Sequence, residues 1–286
     1  MWGYIHQSGF KMRFLLTVAV LFVASPLFSQ ERDRPFAPLD SAEQIRLEKL
    51  LADWEKQSLA TQTFACEIHR WDYDVFSAPA GVHSFKKSGR LLYAAPDKAV
   101  YHIEQSHSYR GMSQNKPRYK NDSRYAGEHW IVNGADLVNL DHETKRLRIT
   151  EFATANAAAK CAKQHLPLVF QVDAKELKQR FWIREVAFIK KKLRLIEAWP
   201  KSGKDLRTWE LIQVVLDSDT LVPQSLVLYS PNFMNGKTHY EFRNIKRNAP
   251  EQKLAEFEKN FAYDAKPAWS VQREKPLEPP VWFFAN

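Results

Sequence analysis

From residue 84 to residue 151 the chain reads as one β-strand after another, joined by connections too short for a crossover, and this restricts it to an antiparallel sheet. Residues 85–94 and 99–104 read as strands parted by Pro96. Trp130, Ile131 and Val132, then Asn133-Gly134, then Leu137 to Leu140 spell a hairpin, with the Asn-Gly pair pointing to a type I′ turn. The chain folds back again over residues 141–145 into a strand at 146–150. Residues 112–124, polar and rich in Asn, Lys and Arg, read as an exposed loop.

Before this run the period is helical. Leu47, Leu50, Leu51 and Trp54 recur at 3.6-residue spacing behind Asp40 and Glu43, a capping box, and predict a helix over 41–59. Phe64, Ile68 and Trp71 then mark a first strand. Residues 153–164 are Ala-rich and helical until Pro167, and Asp173 with Glu176 caps a second helical piece. Further strands are expected over 182–186, 193–199, 208–216, 223–229 and 238–245. Residues 211–216 are apolar on both faces, which requires cover on both sides. Pro250 opens a last short helix, and Pro267, Pro276, Pro279 and Pro280 mark an extended end.

Residues 12–29 have a basic start, an apolar run from Phe14 to Ala24 and a small residue, Ser29, which is the pattern of a secretory signal peptide starting at Met12. The run is shorter than the roughly 20 residues of a membrane span, so the expected product is periplasmic or secreted and not transmembrane. The division expected is a leader at 1–29, a single domain at 30–271 and a Pro-rich tail at 272–286. Losing the leader removes two basic residues and no acid, taking the formal net charge from +9 to +7. That balance favours anionic partners, including an anionic membrane surface. Export and the absence of a recognition pattern argue against nucleic acid.

The order of elements and two motifs resemble the lipoprotein carriers LolA and LolB and the wider superfamily of LolA-like periplasmic proteins. Gly89-Arg90-Leu91-Leu92-Tyr93-Ala94-Ala95-Pro96 is similar to the family's Gly-x-Leu-x-x-x-Arg-Pro, and Asn133-Gly134 through Leu137 to Leu140 fits its next hairpin. The helical segment 153–181 and the close at 261–271 are similar as well. Residues 166–170 and 177–183 resemble a group of uncharacterised exported planctomycete proteins with a LolA-like domain. The resemblance covers residues 41–271 and implies an α+β fold, a half-open antiparallel β-barrel of strongly curved sheet with helices covering its concave side. It implies carriage of a lipid, lipoprotein acyl chain or other amphiphile, without catalysis or cofactor. Where the family has an arginine before the proline, one that holds the helical lid against the empty barrel, this chain has Ala95.

A half-open barrel suits acyl chains because each methylene removed from water contributes about 0.8 kcal/mol without directional contacts. Leu91, Tyr93, Tyr101, Ile103, Trp130, Val132, Leu147 and Ile149, assigned a common strand parity, are the candidate cavity lining; the plain alternative is ordinary core. A second class of reading is an envelope sensor or scaffold that uses the same fold to bind a protein partner, with residues 279–284 as a contact. Enzyme readings lack a Gly-x-Ser-x-Gly elbow, a His-Glu-x-x-His pair and a phosphate-cradling glycine loop. His102, His107 and His129 are weighed as metal ligands and read as surface or core residues, so no metal is expected. Trp182, Trp199 and Trp209 read as packing. Cys66 and Cys161 either pair in an oxidising compartment or stand as two buried thiols.

Overall fold

Helix α1 (Ser41–Leu59) starts at the capping box that the sequence announces: the Glu43 amide donates to Asp40 Oδ1 at 2.7 Å, and the Asp40 amide donates to Glu43 Oε2 at 2.9 Å. Its buried stripe is Leu47, Leu50, Leu51 and Trp54. The computed structural model describes residues 32–275 except 123–126, 156, 158–167, 170, 188–191, 232–235, 250–256 and 264–267. The expected leader, most of the Ala-rich segment, Cys161 and the tail from Pro276 lie outside the described residues. No described helix is long and apolar enough to cross a membrane.

The strands are β1 (Thr63–Tyr73), β2 (Phe85–Ala94), β3 (Lys98–Ser113), β4 (Lys116–Asn121), β5 (His129–Asn133), β6 (Asp136–Asp141) and β7 (Arg146–Glu151). They continue as β8 (Phe181–Val186), β9 (Leu193–Pro200), β10 (Leu211–Asp217), β11 (Pro223–Tyr229), β12 (Lys237–Arg247) and β13 (Ser270–Glu274). All belong to one sheet of order β13-β7-β6-β5-β3-β2-β1-β12-β11-β10-β9-β8, with β4 attached to β3. Each neighbouring pair is antiparallel except β13 with β7. The end strands β13 and β8 do not meet, so the sheet is open. It reaches Glu274, past the expected domain end at 271.

One face of this sheet is strongly concave around α1 and α2 (Ala174–Arg180). A single cluster of buried residues joins Leu50, Leu51 and Trp54 of α1 and Leu177 of α2 to Ile183 on β8 and Leu137 on β6. Strands lie about 4.8 Å apart and a helix is about 10 Å across, so only a curled sheet brings strands this distant onto one helical cover. This is the half-open, helix-covered architecture expected. A second cluster lies on the other face, where Phe257 and Phe261 pack over Leu92, Val100, Ile131, Val138, Leu147 and Ile149.

Three local expectations change. Residues 116–121 form a strand, β4, where a loop was expected; its pattern is exposed on both sides, so no apolar alternation advertises it. The turn between β5 and β6 has Gly134 and Ala135 at its centre, with positive φ at Gly134 alone, which is the pattern of type II′ and not I′. Both positive φ values of a type I′ turn occur instead at Gln114 and Asn115, between β3 and β4. A further short helix, α3 (Gly203–Thr208), precedes β10.

Candidate functional site

The candidate site is the concave face beneath α1. Opposed residues of antiparallel neighbours share a face, so the register assigns each side chain. Leu91 faces Tyr101, Tyr101 faces Trp130, Tyr93 faces Ala99, and Ala99 faces Val132. These, with Ile103, belong to the α1 cluster. Leu147 and Ile149 do not. They oppose Leu140 and Val138 and pack under Phe257 and Phe261 on the outer face. The assigned parity slips by one residue across the hairpins, and a slip of one turns a whole strand over. On β7 it is Thr150, opposite Leu137, that faces inward, buried at 2 %.

The six inward residues are at most 6 % exposed, and Leu91 and Ile103 are fully buried. The chain's own side chains therefore pack closely around these six, with α1 laid over them. Access to them requires the cover to lift. The cover is held by apolar contact and a few polar ties. Ser58 Oγ accepts from the Val172 amide at 2.9 Å, Lys178 meets Glu48 at 2.6 Å, and Arg180 forks onto Asp205 at 2.9 and 2.7 Å. Asp173 caps α2, accepting from the Glu176 amide at 2.8 Å, while the Glu176 carboxylate turns to Arg180 and does not complete a box. Gln171 donates to the Tyr93 hydroxyl and to the Pro96 carbonyl. It therefore ties the covering segment to the end of β2 and to Pro96, beside Ala95.

Farther along the same face, away from the α1–β1 connection, the interior turns charged. Arg70 meets Asp72 at 2.7 Å and Glu128 at 2.6 Å; Lys87 meets Glu128 at 2.5 Å and Asp72 at 3.6 Å. Arg70 also donates to the Tyr101 hydroxyl at 3.3 Å and lies over the Tyr240 ring. Burial alone opposes charge on Arg70, yet Tyr240, Asp72, Tyr101 and Glu128 hold its pKa well above the ordinary value. Burial also opposes charge on Glu128, and Arg70 and Lys87 override it, drawing its pKa below the usual carboxylate value. Burial pushes the Tyr240 phenol up to about 12, so it stays neutral. Two cations and two anions thus form a neutral, mutually satisfied set. Sequence separation hides it, since Glu128 lies 58 residues from Arg70.

Cys66 is a free thiol, buried on this face at 5 %, and burial raises its pKa, so it stays protonated. Cys161, its candidate partner, lies outside the described residues; β1 directs Cys66 into the apolar core against Leu91. Gly89 sits where β2 presses on β3, and a Cβ there would lie 1.9 Å from the His102 carbonyl oxygen. Of the histidines, His102 and His129 come together on the outer face, joined by His142, which the sequence reading passed over, and not by His107. Among the tryptophans, Trp182 donates to the Arg32 carbonyl under Arg34 and Lys201, and Trp209 is buried against Phe181.

No family model and no curated protein sequence matches this chain. Among solved structures it is similar to an uncharacterized conserved protein from Thermus thermophilus, at 9 % identity over 80 % of this chain and 99 % of that one, with a TM-score of 0.45. It is similar to the lipoprotein LppX of Mycobacterium tuberculosis, at 8 % identity over 71 % and 97 %, with a TM-score of 0.32. A LolA superfamily protein from Nitrosomonas europaea is also among them, at 10 % identity over 76 % and 97 %, with a TM-score of 0.33.

Proposed function

We propose that the chain binds an amphiphile by exchanging the side chains of α1 for acyl chains on the concave face, without catalysing a reaction on it. The observation that carries this reading is the apolar interior closed by one short cover, whose buried anchors are Leu47, Leu50, Leu51 and Trp54. Four such side chains contribute about 6–12 kcal/mol on burial, at about 1.5–3 kcal/mol each. A sixteen-carbon chain contributes about 12 kcal/mol at about 0.8 kcal/mol per methylene. One chain therefore competes with α1, and a lipid with two or more displaces it. The net charge of +9, or +7 without the leader-like segment, favours an anionic headgroup outside the barrel. The leader-like pattern at 12–29 fits a protein that meets such lipids in the periplasm or outside the cell.

The test is native mass spectrometry of protein purified from its own host, followed by incubation of stripped protein with dioleoyl-phosphatidylglycerol vesicles. A discrete lipid adduct in either arm supports the proposal. Protein that stays adduct-free in both overturns it, and a co-eluting protein in place of lipid moves the assignment to partner binding.

A further inference from the structure

On the outer face of the sheet, away from α1, three imidazoles meet. His102 comes from β3, His129 from the facing position on β5, and His142 from the turn after β6. One nitrogen from each lies within 4.8 Å of the others, and His129 Nδ1 is 3.0 Å from His142 Nε2. The rings are nearly parallel, with His102 to His129 centroids 4.0 Å apart and His129 to His142 centroids 5.2 Å apart. All three are half-buried, which leaves one side of the group open to water.

We propose that His102, His129 and His142 bind a divalent transition-metal ion of the zinc class, with water in the remaining position. Imidazole nitrogen suits zinc, copper and nickel, and three histidines with an open fourth position are a recurrent way to hold zinc. Bonds of about 2.0–2.1 Å in tetrahedral geometry place ligand nitrogens roughly 3.3 Å apart. His129 Nδ1 and His142 Nε2, hydrogen-bonded at 3.0 Å, stand close to that spacing, so an ion can replace the shared proton after a small separation, and a side-chain rotation of His102 completes the set. Both strands fix their histidines through a hydrogen-bonded ladder, so the backbone needs no rearrangement. The His142 ring is held from the side, edge-on to Trp269 at 5.3 Å, with Gly127 close beneath it. Glu104 Oε1, which pairs with Arg90 at 3.4 Å, stands 3.7 Å from His102 Nδ1, beyond hydrogen-bond distance, and adds negative charge beside the group. The ion would join β3, β5 and the β6–β7 turn, independently of any guest on the concave face.

The test uses untagged full-length protein, stripped with a chelator and titrated with zinc chloride, nickel chloride and copper sulfate by calorimetry. The expected result is one ion per chain, with at least a tenfold loss of affinity in His102→Ala, His129→Ala and His142→Ala. His107→Ala serves as the control and binds as the parent does. His142 lies in a turn, so His142→Gln keeps the test valid if a strand variant fails to fold. X-ray absorption of the zinc form should show three imidazole nitrogens at about 2.0 Å. Binding equal in parent, His142→Gln and His107→Ala, or no binding, overturns the proposal.

Discussion

The Gln171 side-chain amide donates to the Tyr93 hydroxyl at 3.1 Å and to the Pro96 carbonyl at 2.5 Å, tying the segment before α2 to the end of β2. A neutral amide latch of this kind contributes about 0.5–1.5 kcal/mol for a net hydrogen bond, so it is one modest hold among several on the cover.

Gln171→Ala should release that latch without unfolding the sheet. Hydrogen exchange of the amides in α1 and α2 should quicken by about 5- to 10-fold, the equivalent of about 1–1.4 kcal/mol, while β1 and β12 keep their protection. Unchanged exchange in α1 would show that Gln171 does not hold the cover.

Glu128→Gln should destabilise the protein by about 1–3 kcal/mol in urea denaturation at neutral pH. Breaking a buried pair costs about 3–5 kcal/mol, and the figure is discounted because Glu128 is 41 % exposed. Lys87, 6 % exposed, would keep only Asp72 at 3.6 Å. The pH dependence has a definite sign. The folded pKa of Glu128 is depressed, so its contribution is present above the unfolded carboxylate value and is lost as pH falls through the folded value. The parent should lose stability on acidification more steeply than Glu128→Gln, and parallel curves would refute the pairing.

Gly89→Ala should cost about 2–4 kcal/mol, because the added Cβ would sit 1.9 Å from a backbone oxygen that ladder bonds hold in place. Thermal denaturation measures it. A loss under about 0.5 kcal/mol would mean that the two strands part easily.

Phe261→Ala should cost about 3–5 kcal/mol, since Phe261 is 1 % exposed and seals the outer cluster. Under the proposed function it should leave acyl-chain binding unchanged, because its partners Leu147 and Ile149 face away from α1. Lipid affinity that falls in step with stability would join the two faces into one site.

What the sequence discloses follows from what kind of signal each element sends. Helix α1 is legible to the residue, because a capping box and a 3.6-residue stripe agree. Strands β2 and β11 are equally plain. Strand β4 sends no signal, since both its faces meet water. Of the assigned set, Leu91, Tyr93, Tyr101, Ile103, Trp130 and Val132 fall in the α1 cluster and Leu147 and Ile149 in the outer one, because the clean alternation of β7 marks its apolar side but not which face of the sheet that side meets. The outer cover is hidden for a related reason: Phe257, Phe261 and Trp269 are scattered through a stretch with no period. The histidine trio needs pairing across β3 and β5 plus a turn, none of which spacing alone reveals.

The knot of Arg70, Asp72, Lys87 and Glu128 places fixed charge at one end of the concave face, where hydrocarbon would gain nothing by entering. Under the proposed function an acyl chain would therefore slide in beside α1 and leave its polar part outside, within reach of the next surface it meets.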